Sequence, residues 1–259
     1  MKPFRLEGRR PAIVCAHPDD ETIGAGASMP RFPAAVFVHV TNGAPRDFQD
    51  ASAHGFSSCA EYAAARRREF HDALQAGGIK PAEVVELPFS DQEAAFHLVE
   101  LTRELTRLLA WLAVDTILVH PYEGGHPDHD ATAFATHLAC RLSPPGHRPE
   151  ILEFTSYHGR AGQIQTGVFL PHDGSSEIAI KLTGEERARK QRMMACYRTQ
   201  QAVLRQFGTE EERFRQAPYY DFTQLPHPGP LFYEQFPWGL TAGRWLALVR
   251  AAREDLSPC

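Results

Sequence analysis

The sequence has no long hydrophobic run, no paired-cysteine motif and no surplus of positive charge. No window approaches the roughly 18 apolar residues of a membrane span, so no transmembrane helix is expected. Five cysteines, Cys15, Cys59, Cys140, Cys196 and Cys259, are scattered, odd in number and form no C-x-x-C. That excludes a disulfide framework and a thiolate zinc site. Lys and Arg number 27 against 32 Asp and Glu, for a net charge of −5. Nothing here draws the whole protein to nucleic acid or anionic lipid. Met1 to Arg10 lacks an apolar h-region, so a cytoplasmic protein without a signal peptide is expected. The hydrophobic fraction of 43% and charged fraction of 23% are those of a globular chain and exclude disorder.

What is present reads as α/β. Short apolar runs at Pro11–Ala16, Ala34–Thr41, Val84–Leu87 and Thr116–His120 predict buried strands. Between them, Cys59–Ala76 ends at a glycine pair and reads as a helix. Leu98, Leu101, Leu105, Leu108 and Leu112 fall at helical steps within a predicted helix over Phe96–Trp111. Another helix is expected over Asp128–Arg141. The polar stretch Asn42–Ser58 reads as a long loop. After the break at Pro144-Pro145-Gly146, strands are expected at Ile151–Tyr157 and Ser176–Leu182, then helices at Glu185–Gln206 and about Gly243–Arg253. Alternating strands and helices predict a Rossmann-like, mostly parallel sheet with helices on both faces. A single domain is expected, with a core over about 11–200 and a C-terminal cover over about 201–259.

Two turns echo each other. His17-Pro18-Asp19-Asp20-Glu21 follows the first strand, and His126-Pro127-Asp128-His129 follows the Thr116–His120 strand. Both belong at the carboxyl ends of parallel strands, where an open α/β sheet places its ligand. His17 and Asp20 are three apart, as are His126 and His129, a spacing that shares a face on one helical turn. Two imidazoles and a carboxylate make a hydrolytic zinc shell with a place left for water, and His17, Asp20 and His129 supply that count. Asp19 then stands beside a ligand as a base, and His126 faces the substrate. Taken singly, each turn also reads as a structural histidine or a capped helix start; their pairing at two strand ends favours the site.

Ala16–Glu21, AHPDDE, with His126–His129, HPDH, resembles the PIG-L / LmbE-like family of metal-dependent N-deacetylases. Thr41-Asn42-Gly43, Arg66-x-x-Glu69 with Ala73 and Gly78-Ile79, and Lys190 with Tyr197 and Gln200 resemble its lesser motifs, so the likeness spans roughly residues 11–200. The resemblance implies a hydrolase that removes the N-acetyl group from an N-acetylated amino sugar or its conjugate. It implies zinc, with Fe2+ or another divalent ion as the alternative, on His17, Asp20 and His129. Asp19 would be the general base and His126 the group that stabilises the oxyanion or protonates the amine. Asp128 would orient a histidine, and Arg66 would contact the sugar or its aglycone. The partner would be a small molecule, with room left for a homo-oligomer.

Some relatives carry a tyrosine two residues before the HPDH motif, where this chain has Gly124. Tyr122 is a candidate substitute, and Glu123 either meets a sugar hydroxyl or caps the loop. Arg67 and Arg68 read as a solvated face. Gly24-x-Gly26 lacks the third glycine of a dinucleotide loop. The aromatics Tyr219, Tyr220, Phe222, Phe232, Tyr233, Phe236 and Trp238 read mainly as packing, with one of them against a sugar as the alternative. Competing functions are a non-haem iron oxygenase using the two-histidine, one-carboxylate set and a non-catalytic sugar-binding protein. Oxygen dependence, metal content and acetate release separate the three.

Overall fold

The computed structural model describes residues 10–257 apart from 33, 145, 147, 161 and 173. The leader reading of residues 1–9, the central proline of the Pro144–Gly146 break, and Cys259 lie outside the described residues.

Five parallel strands form the centre: β1 (Pro11–Cys15), β2 (Val36–Pro45), β3 (Glu83–Asp91), β4 (Thr116–Val119) and β5 (Glu150–Phe154). A hairpin of β6 (Tyr157–Arg160) and β7 (Gln163–Thr166) stands apart from the sheet. Strands β8 (Glu177–Lys181) and β9 (Glu211–Gln216) close one edge antiparallel, giving the order β3-β2-β1-β4-β5-β9-β8. The helices are α1 (Asp20–Ala25), α2 (Gln49–Ala53), α3 (Cys59–Gly77), α4 (Leu98–Leu112), α5 (Pro127–Leu142), α6 (Gly184–Cys196), α7 (Gln201–Leu204) and α8 (Ala242–Leu256). Alternate residues of β1 feed two cores. Ala12 and Val14 pack toward α4, α5 and α8; Ile13 and Cys15 pack toward α3 and α6. The Rossmann-like expectation is met: β1 and β4 are buried throughout and β2 nearly so, on both faces of the sheet.

The order also fixes where a ligand belongs. From β1 the chain moves to β2 and β3 on one side, then returns to β4 on the other. The carboxyl ends of β1 and β4 therefore flank the switch point of the sheet. The His17 turn follows β1 and the His126 turn follows β4.

Several boundaries differ from the sequence reading, each for a physical reason. Pro88 marks a break in the sequence, yet β3 runs through it to Asp91. As the edge strand, β3 tolerates a residue without an amide donor. The polar stretch after Thr41 continues β2 to Pro45 and then forms the short α2. The expected long helix from Glu185 stops at Cys196, because Tyr197 leaves helical dihedrals and turns its hydroxyl inward. Strand β9 carries no alternating apolar signal. Its inward residues are Glu212 and Phe214, and Glu212 is buried against Lys190 at 2.9 Å.

Candidate metal centre

The first histidine turn is built by strain and clamped from three sides. Asp19 caps α1 with φ 144°, a left-handed value that costs a non-glycine residue about 1–3 kcal/mol. Its amide donates to Glu21 Oε2 at 3.3 Å, and its carboxylate receives Arg66 Nη2 at 3.1 Å. Thr41 N and Oγ1 both donate to the Ala16 carbonyl, which fixes the entry to the turn. Gly43, at φ +64°, presents its carbonyl to Arg66 Nη1 at 2.7 Å. From the far side, Tyr197 donates to Glu21 Oε1 at 2.6 Å and Lys190 to the Ile23 carbonyl at 2.7 Å. Glu69 accepts from Thr199 N and Oγ1, and Gln200 donates to Tyr62. The lesser motifs seen in the sequence are thus one scaffold around the AHPDDE turn.

The second turn follows helix-start rules. Pro127 sits at the first helical position, where its missing amide is no loss. His126 is the cap, its Nδ1 accepting from Asp128 N at 3.2 Å. That bond assigns the proton to Nε2, leaving a donor pointing away from the helix. Asp130 accepts from the amides of Glu123 and Gly124 and so shapes the approach loop. Gly125 is pressed against the Tyr157 carbonyl; a Cβ there would lie 2.0 Å from that oxygen. Gly125→Ala is expected to cost about 1–3 kcal/mol, as overpacking does, and to weaken metal retention. Thermal melts and metal content of the purified variant check this.

The two turns meet. Asp20 stands between the rings, with Oδ2 3.2 Å from His17 Nδ1 and Oδ1 3.2 Å from His129 Nε2. His17, Asp20, His126 and His129 are all at most 8% exposed. Donor atoms within 4.8 Å of one another occur in His17–His126–His129, in His17–Asp91–His126–Asp128 and in Asp20–His120–His129. His17 is not on the first helix, as the three-residue spacing suggested; α1 begins at Asp20. The turn brings the two together instead, with His17 N donating to Asp20 Oδ2 at 2.8 Å.

Electrostatics suit a cation. Burial opposes the ionisation of Asp20, but His129 and His120 outweigh it and hold the carboxylate well below its ordinary range. Burial, then His120, pushes the His129 imidazole down to about 3, so it stays neutral. Burial also opposes protonation of His17, yet Asp91, Asp128 and Asp20 raise it well above an ordinary histidine. Positive charge is therefore favoured at this spot, and an anionic carboxylate and a neutral imidazole flank it. A divalent ion fits that donor set. Burial lifts Asp19 up to about 8, against the pull of Arg66. Burial, then His17, holds His126 well below its ordinary value.

The second histidine turn and the AHPDDE turn lie within residues 12–140, which match the family described as PIG-L: GlcNAc-PI de-N-acetylase. The chain belongs to the PIG-L / LmbE-like deacetylases. Solved structures of similar fold include the A40926 pseudoaglycone deacetylase Dbv21, at 21% identity and TM-score 0.61 over 80% of this chain and 96% of that one. A deacetylase from the teicoplanin pathway matches at 17% identity and TM-score 0.63, over 82% of this chain and 99% of that one. The N,N'-diacetylchitobiose deacetylase of Pyrococcus horikoshii matches at 18% identity and TM-score 0.59, over 85% and 88%. No curated protein matches by sequence.

Within this PIG-L-type centre, Asp128 accepts from the amides of Gln92 and Ala94 and lies 3.3 Å from His17 Nε2. Arg66 is 3% exposed, and its terminal nitrogens go to Gly43, Pro18 and Asp19. Tyr122 does not take the place of the tyrosine missing at position 124: its hydroxyl joins Gln224 and Trp245 in the core. Glu123 caps rather than faces the cleft, receiving Leu170 N at 2.6 Å beside Arg215.

Three site neighbours went unseen in the sequence, and a fourth, Trp238, read there mainly as packing. His120 lies flat on His129, ring centroids 3.9 Å apart, with Nε2 accepting from Ala16 N. Its place at the end of a central strand was the available signal. Asp91 contacts His17 Nε2 at 3.0 Å, and that carboxylate oxygen has no hydrogen-bond partner among the described residues. It was hidden because β3 seemed to end at Pro88. Tyr157 stands edge-on to His129 at 5.3 Å, and Trp238 lies 4.8 Å from His126. Neither belongs to a local pattern.

Proposed function

We propose that this chain is a divalent-metal-dependent hydrolase that removes the acetyl group from an N-acetylated amino sugar or its conjugate. The observation that carries this is Asp20 bracketed by His17 and His129, with Asp19 and His126 beside them. His17, Asp20 and His129 would hold the ion, zinc first and Fe2+ or another divalent ion as the alternative. Bound there, it would supply a Lewis acid for the acyl oxygen and acidify water.

The protein's own groups do the rest. Asp19 takes the proton from the attacking water and delivers it to the departing amine, a task suited to a carboxyl whose affinity for protons is raised by burial. His126 donates from Nε2 to the oxygen on which negative charge develops. Asp128 keeps His17 in one orientation from behind. Arg66 holds Asp19 in its strained conformation and favours its ionised form. Arg66→Lys is then expected to lower kcat and move the acid limb of the pH profile upward, with KM unchanged. A raised KM at constant kcat would instead return Arg66 to the sugar or aglycone, as the sequence reading had it.

The deciding experiment is acetate release from a panel of N-acetyl amino sugars and glycosides, with and without chelation, alongside metal content. One ion per chain and chelator-sensitive release are expected. A triple alanine variant of His17, Asp20 and His129 that keeps full metal occupancy would overturn the ligand assignment.

A further inference from the structure

We infer that the aromatic side chains beside the metal centre form a subsite for an apolar, ring-bearing aglycone attached to the amino sugar; this rests on the deacetylase reading above. The rings make a closed circuit. Trp238 lies 4.8 Å from His126, and Phe236 stacks on Trp238 at 4.4 Å and 16°. Phe232 meets Phe236 at 5.6 Å and Tyr157 at 6.1 Å, and Tyr157 returns to His129 at 5.3 Å. The circuit thus begins and ends on the two histidines of the HPDH turn.

Three features give it an occupant. First, it is not sealed: Phe236 is 38% exposed, and Trp238, Phe232 and Tyr157 are only half-buried. An open stacked pair offers a further aromatic face. Second, Phe232 also lines a cavity of about 950 Å³ with Leu231, Pro230, Val168 and Phe169. That is far more room than one sugar ring needs, and its walls are mainly apolar. Third, the circuit is continuous with the metal centre, so a molecule whose acetamide sits at the centre would lay its remote end there. Residues 232–238 lie outside the segment that matches the family model.

The test compares phenyl and methyl glycosides of glucosamine, the deacetylated products, by calorimetry on the metal-loaded protein. Their N-acetyl forms are assayed in parallel for acetate release. The phenyl glycoside is expected to bind about tenfold tighter, the size of one well-formed ring pair. Trp238→Ala should bring the ratio near one; Phe236→Ala, at a more exposed position, keeps the test open if Trp238→Ala does not fold. Equal binding of the two glycosides, or a preference that survives in both variants, overturns the proposal. A phenyl preference without any acetate release sinks the deacetylase reading and leaves the aromatic subsite standing.

Discussion

Asp19→Asn is expected to keep its metal and lose roughly 10²–10⁴ in kcat, the usual range for a positioned proton-transfer group. Asparagine preserves the size of the side chain and tolerates a positive φ better than most residues. The turn should therefore survive while the proton acceptor is lost. Asp19 is almost fully buried and touches Arg66, and its φ of 144° is an unusual place to keep an ordinary surface acid. Metal analysis and acetate release on the same sample decide the matter. Near-normal turnover would move proton transfer to another group, and loss of the ion would make Asp19 a ligand.

His126→Ala should lower kcat by about 10²–10³, the effect of removing one oxyanion donor, with metal content intact and KM little changed. The structure alters what the pH profile should show. In the amine-protonating role that the sequence offered as one alternative, His126 would have a proton to lose on the basic limb. Burial and His17 instead keep it neutral, with Nε2–H available as a donor. The basic limb should then remain in the alanine variant. The substitution also removes the cap of α5, worth about 1 kcal/mol. His126→Asn restores a cap and a side-chain donor, so it should recover stability and part of the rate. A variant that loses its basic limb would mean His126 titrates during turnover.

Much of the centre was legible because its parts sit beside strand ends in sequence. His17, Asp20 and His129 each follow a short buried strand, and the sheet order brings those ends together. The parallel sheet was readable for the same reason: Ile13, Val14, Ile117 and Leu118 are apolar on both faces. What failed to show was what depends on distant pairing. Asp91 reaches His17 only because β3 continues past a proline at the sheet edge. His120 reads as the last residue of an apolar strand until its ring is seen lying on His129. Tyr157 and Trp238 come from segments after the break at residue 144, and only packing places them. Strand β9 was illegible because its buried acid, Glu212, has its cation partner on another element.

The clamp on the AHPDDE turn has a consequence for how the protein is made. Glu21 needs the hydroxyl of Tyr197, 176 residues later, and Ile23 needs Lys190, whose charge needs Glu212. At ordinary synthesis rates the ribosome delivers those partners roughly 10–40 s after the turn itself. Until then Glu21 has no tyrosine to accept from, and α1 has nothing to dock against on that side. The first motif translated is thus among the last parts of the enzyme to be finished. A nascent chain halted before residue 190 carries both histidine turns yet lacks the lysine and tyrosine that clamp the first of them.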